Sequence, residues 1–170
     1  MSLRPQDLLL ALKLAVVPEV PSLAELGVAL GLSASQCHAA LKRAAAAGLV
    51  DAKSRRVRQA ALLEFVVHAA KYVFPPRRGP LTRGIPTAHS APPLRESISN
   101  GESPCVWPDP EGDVRGEALH PIYKTAPLAA RRDPALHELL ALLDAVRAGR
   151  ARERNLAVAE LERRIALAPI

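Results

Sequence analysis

The side chains of this sequence that could do chemistry are few and dispersed. Its cysteines, Cys37 and Cys105, lie far apart, and its histidines, His38, His68, His89, His120 and His137, stand singly. Metal ligation by such residues needs close, repeated spacing, and none is spelled here. Cys37 and His38 are neighbours, so on a helix they point to different sides. Cys37 reads as a small core residue, with a redox-sensing thiol as the sharper alternative. No glycine-rich phosphate loop, nucleophile elbow or HExxH occurs. The expectation is a protein that is not an enzyme and uses no cofactor.

Charge is what remains. The chain of 170 residues carries a net charge of +6 with a pI near 9.9, and a basic protein gains from polyanions by releasing their counterions. Part of that charge sits where a helix pattern holds Cys37, Leu41 and Ala44 at i, i+4 and i+7 as its inner side. That leaves Ser33, Ser35, Gln36, His38, Ala39, Lys42 and Arg43 outward, an acid-free face, with Lys53, Arg55 and Arg56 close behind in sequence.

The elements that must hold this face are legible in turn. Aromatics make up only 3% of a 49% hydrophobic chain, so Ala, Leu and Val must build a helical core. Pro5 to Val17 reads as a first helix, with Leu8, Leu9, Leu12 and Val16 on its apolar side. Ser22-Leu23-Ala24-Glu25 is a capping box that opens a second helix to about Leu30. Gly31 permits a sharp turn, and Ser33-Ala34-Ser35-Gln36 caps a third helix. Two capped helices around one glycine turn make a helix-turn-helix pattern. Gly48 closes the third helix. Leu49-Val50, a turn at Asp51 to Ser54 and Arg55-Arg56-Val57 then read as a short two-stranded wing with Lys53, Arg55 and Arg56 at its tip.

A fourth helix is predicted over 59–74 from Leu62, Val66, Ala69 and Val73, beside Phe65 and Tyr72. From Pro75 to Pro134 the chain holds twelve of its sixteen prolines and five of its nine glycines, which predicts extended chain without regular helix. Arg78-Gly79, Arg83-Gly84 and Arg115-Gly116 recur as pairs there. One hairpin is expected, Val106-Trp107 with Val114-Arg115 around residues 108–113, with Trp107 anchoring a small core. Asp133-Pro134 caps a helix bearing Leu136, Leu139, Leu140, Leu143 and Val146. Gly149 ends or bends it, and 151–168 continues with Val158, Leu161 and Ile165 inward. Arg147, Arg150 and Arg154 would form a basic stripe on one continuous helix, although Asp144 and Glu153 favour intrahelical ion pairs.

The stretch Ser22 to Val50, SLAELGVALGLSASQCHAALKRAAAAGLV, resembles the DNA-binding core of winged-helix regulators such as the MarR and related bacterial families. The likeness is carried by Glu25-Leu26-Gly27, by Ala29-Leu30-Gly31-Leu32-Ser33 at the turn, and by Ala47-Gly48-Leu49-Val50 leading into the wing; with flanking helices it covers about the first 75 residues. The resemblance implies a helix in the major groove, with Ser35, Gln36, His38 and Ala39 near base edges and Lys42 and Arg43 near phosphates. It implies that Lys53, Arg55 and Arg56 touch the flanking backbone or minor groove. Winged helices also serve as protein-docking modules, so the fold alone does not decide the ligand.

The expected fold is therefore mainly α with a small β-wing, in three parts. Residues 1–75 form a winged helix-turn-helix DNA-binding domain, 76–133 a proline-rich extended segment, and 134–170 a C-terminal helical element for dimerisation or partner binding. The expected function is sequence-specific transcriptional regulation, as a dimeric repressor on double-stranded DNA, with helices 59–74 and 134–148 pairing across a two-fold axis. The alternative is an antitoxin or interaction module whose middle segment 76–133 binds a partner protein while the winged helix regulates the operon; a ligand-responsive regulator with a pocket where the fourth helix meets the arm is a third reading. Unpaired cysteines and the lack of a leader or a long apolar run point to a cytoplasmic protein without a membrane partner.

Overall fold

The structure, a computed structural model, describes residues 2–98 and 103–166. Helices α1 (Pro5–Val16), α2 (Leu23–Leu30) and α3 (Ala34–Ala46) come first. Helix α4 runs through Gln59–Glu64, a π turn at Phe65–Ala69 and Ala70–Val73. Strands β1 (Arg78–Pro86), β2 (Cys105–Pro108) and β3 (Val114–Leu119) follow, with two short 3-10 turns between β1 and β2. Helices α5 (Ala126–Arg132), α6 (Pro134–Ala148) and α7 (Ala151–Ala166) close the chain. The architecture is mainly helical with one small three-stranded sheet.

Helix α1 is the central element. Leu8, Leu9, Leu10, Ala11 and Leu12 have no exposed surface, because α2 and α3 pack on one side and α6 on another. Each such leucine contributes about 1.5–3 kcal/mol relative to an exposed one. Lys13, the one cation of the helix, reaches the α6 cap residue Asp133 at 2.7 Å. Both capping boxes form: Ser22 Oγ accepts from the Glu25 amide and Ser33 Oγ from that of Gln36, each at 3.1 Å. Gly31 turns the chain between α2 and α3 with φ +68°, a left-handed backbone that only glycine adopts without strain.

After α3 the two-stranded element is reduced to one antiparallel bridge, Val50 to Val57. The loop is too short for more. Asp51 closes it instead, its carboxylate accepting from the Lys53 and Ser54 amides at 3.1 and 2.8 Å and from the Ser54 hydroxyl at 3.0 Å.

The proline-rich middle is not a free arm. β1 pairs antiparallel with both β2 and β3, while β2 and β3 run parallel, Cys105 beside Glu117 and Val106 beside Ala118. This overturns the expected hairpin, because Gly84 of β1 faces both Pro108 and Val114. Strands β2 and β3 therefore meet at Gly84, and the loop between them folds back on β1, with the Asp109 amide donating to the Arg83 carbonyl at 3.0 Å and Gly112 buried against Gly84. The recurring Arg-Gly pairs explain how so small a sheet closes. A Cβ on Gly84 would lie 1.9 Å from the Trp107 carbonyl oxygen, and one on Gly116 2.4 Å from that of Pro104. Only glycine allows strands that close, and the preceding arginines stay exposed. A second correction is α5, a helix inside the segment where none was expected; Pro127 sits in its first turn, where a missing N–H is harmless.

One buried carboxylate fastens the sheet to α6. Asp144 accepts from Thr87 Oγ1 at 2.7 Å, from the Trp107 indole at 2.8 Å and from Arg147 at 2.9 Å. Arg147 also donates to the carbonyls of Phe74 and Pro75 at 2.8 and 3.3 Å, which fixes the end of α4. Trp107 is thus a core anchor, as expected, and its ring lies 5.2 Å from that of His137. Gly149 ends α6, so α6 and α7 form a hairpin, and Arg147 is buried in an ion pair instead of joining a basic stripe with Arg150 and Arg154.

Helices 59–74 and 134–148, expected to pair across a two-fold axis, are packed largely within one chain. Every residue of α6 from Leu139 to Arg147 is buried within one chain, and Leu62, Val66 and Ala70 of α4 are buried there too. Helices α1, α5 and α7 and the turn after β1 cover α6, whereas Tyr72 and Val73 at the end of α4 stay exposed.

Removing the Asp144 carboxylate strands the Arg147 charge in the core. Asp144→Ala is expected to lower stability by about 3–5 kcal/mol in urea unfolding followed by the fluorescence of Trp107, and pairing Asp144→Leu with Arg147→Met is expected to restore most of it. A loss under about 1 kcal/mol in the single variant would show that the carboxylate does not hold the sheet.

Candidate nucleic-acid interface

Helix α3 buries Cys37, Ala40, Leu41 and Ala44 and turns Ser33, Ser35, Gln36, His38 and Lys42 to solvent, with Ala39 half-buried between them. Among these, Ser33 is occupied locally. Its hydroxyl caps the helix and lies 3.1 Å from that of Ser35, while its amide donates to Gln36 Oε1 at 2.9 Å. The Gln36 side-chain nitrogen has no partner among the described residues.

Arg43 does not stand on the solvent face as the sequence pattern suggested. Its Nε and Nη2 each donate to the Asp7 carboxylate at 2.8 Å, and Asp7 has no exposed surface. This hydrogen-bonded pairing holds the guanidinium firmly charged, its pKa raised above the ordinary value. The pair clamps α3 onto α1, so the outward face is presented by a helix that cannot roll. Arg43 is a positioning residue for that face.

The loop after α3 carries the other expected cations. Lys53 and Arg56 are exposed, and Arg55 is half-buried with φ +59°. Hydrogen bonds from Ser54 hold the Asp51 carboxyl below the usual range, so the one acid of this turn is an ionised anchor at neutral pH. Sequence reasoning missed two neighbours. Arg58 is 60% exposed, 3.5 Å from Asp51, and Arg4 lies beside Ala39 and Lys42. Arg58 could have been read from the basic run ending in Arg56. Arg4 could not, because only the docking of α1 on α3 brings it there.

A cavity of 540 Å³ lies elsewhere, between the sheet and the α6–α7 junction, and is lined among others by Arg78, His89, Cys105, Glu117, Arg150 and Glu153. Among the described residues no three His, Cys, Asp or Glu side chains converge as a metal site. Burial, with the nearby Asp144 charge, pushes the Cys105 thiol up to about 12, and burial also raises Cys37. Both shifts disfavour the thiolate, the reactive form of cysteine. No described helix is long and apolar enough to cross a membrane.

No family model, curated protein or solved structure matches the chain.

The burial of both thiols makes them reporters of unfolding. A thiol reagent at pH 8 is expected to leave the native chain unmodified and to label Cys37 and Cys105 together in denaturant. Rapid labelling of Cys37 in the native state would restore the redox-sensing reading.

Proposed function

We propose that the chain is a DNA-binding regulator of the winged helix-turn-helix type, similar to the MarR and related bacterial regulators, with α3 as its reading helix and the 51–58 turn as a short wing. The observation that carries this reading is the acid-free face of α3, locked by Asp7 and Arg43 and followed in the chain by the exposed cations Lys53, Arg56 and Arg58. A helix of this width fits a major groove about 12 Å across. Ser35, Gln36, His38 and Ala39 then lie near base edges, where the Gln36 side-chain nitrogen can donate to an acceptor such as adenine N7. Lys42, Lys53, Arg55, Arg56 and Arg58 neutralise phosphates and set the register, without reading sequence. Repression is the simplest outcome, because occupancy of a promoter suffices for it.

The middle segment supports this reading better than the antitoxin one. It is packed on α6 through Trp107, Thr87 and a 2.9 Å hydrogen bond from His137 Nε2 to the Pro86 carbonyl, which leaves less of it extended for wrapping a partner.

The test is selection from randomised duplexes followed by fluorescence anisotropy of the best and a scrambled sequence across salt concentrations. Affinity is expected to fall with salt, and Lys53→Ala and Arg56→Ala are each expected to weaken both duplexes equally and to reduce the salt slope by about 1. Gln36→Ala is expected to cost about 1–3 kcal/mol on the selected sequence alone. No duplex binding at low salt, or binding indifferent to these substitutions, would overturn the proposal.

A further inference from the structure

Beside α3, residues Ser2, Arg4, Ala39, Lys42 and Arg43 line a cleft of 270 Å³. Its two rims come from segments more than thirty residues apart in sequence and are tied by one atom group. Asp7 Oδ2 accepts from the Arg4 amide and from Arg43 Nε, and Oδ1 accepts from Arg43 Nη2, each at 2.8 Å. The rims are therefore set before any ligand arrives. Three features define what the cleft takes. Arg4 and Lys42 are exposed cations with no acid partner among the described residues. Arg43 spends two of its five N–H groups on Asp7, so three remain on a guanidinium already held in place. No acid lines the cleft, since both oxygens of the one nearby carboxylate are engaged beneath it.

We propose that this cleft is a seat for one phosphodiester group, held by Arg4 and Lys42 as charges and by Arg43 as a fixed donor. Ala39 links it to the reading face, for it belongs both to the cleft wall and to the outward side of α3. A phosphate seated there lies alongside whatever Ser35, Gln36 and His38 touch. A small residue at this position is what leaves the cleft open. The identification of the phosphate as one of duplex DNA rests on the function proposed above; the chemistry of the seat itself does not.

The experiment has two arms, both on the full chain. In the first, anisotropy with duplex DNA compares wild type with Arg4→Ala, Lys42→Ala and the double variant. Each single change is expected to weaken selected and scrambled duplexes alike by roughly two- to fivefold. The double variant is expected to lose less than the product of the single effects and about 0.9 of the salt slope, because both cations serve one phosphate. In the second arm, inorganic phosphate is titrated against chloride at matched ionic strength, and the amides of Arg4, Ala39, Lys42 and Arg43 are followed by NMR. Saturable shifts at these amides, lost in the double variant, are expected. If Lys53→Ala weakens DNA binding while Arg4→Ala and Lys42→Ala do not, the seat is refuted and the DNA reading stands. If wild type binds no duplex but the phosphate shifts saturate, the DNA reading falls and the seat stands as a site for a free or other phosphate. Absence of both responses refutes both.

Discussion

Asp7 is fully enclosed, and its two oxygens take three hydrogen bonds, from the Arg4 amide and from the Arg43 guanidinium. A charge this deep is tolerable only when paired and hydrogen-bonded on nearly every lone pair, so the geometry around it is strict. That strictness fixes the angle of α3 against α1. The apolar contacts of Leu8, Leu12, Cys37 and Leu41 bring the two helices together, but such contacts are non-directional and tolerate sliding. The ion pair adds the direction. Because α1 also packs on α6, the orientation of the outward α3 face is referred to the whole molecule.

Asp144 does for the second half what Asp7 does for the first. Its partners Thr87, Trp107 and Arg147 come from the turn after β1, from β2 and from α6. The sheet, whose strands are interrupted by proline and glycine, gains its fixed place on α6 from these bonds. Burial of the carboxyl raises its pKa, and Arg147 with the Thr87 and Trp107 hydrogen bonds opposes that rise. The chain thus uses two buried carboxylates, each paired with an arginine, to join parts that apolar Ala and Leu side chains alone would leave loosely specified.

The local signals in the sequence were faithful guides. Ser22 with Glu25, Ser33 with Gln36, and Asp133 before Pro134 each open a helix where their spacing says they should, because a cap involves only a few consecutive residues. The inner side of α3 was equally plain. What escaped reading was non-local. Arg43 looks like a surface cation until Asp7 is placed against it, 36 positions away in the chain. Val106-Trp107 and Val114-Arg115 look like hairpin partners until β1 is placed between their functions, pairing with both. The wide stripe on 134–148 suggested a second subunit because the proline-rich segment gave no periodicity from which its own covering parts, α5 and the turn after β1, could be inferred. On the candidate site, the exposed side of α3 and the cations Lys53 and Arg56 were legible, whereas Arg4 needed the tertiary docking.

The central claim is that duplex DNA lies against α3 and the turn behind it. Amide hydrogen exchange of the full chain, with and without a short random-sequence duplex at low salt, tests that most directly. Added protection concentrated in residues 33–42 and 51–58, with the sheet and α6 unchanged, is the result the account predicts. Protection confined to the sheet or to α5, or none anywhere with duplex in excess, would contradict it.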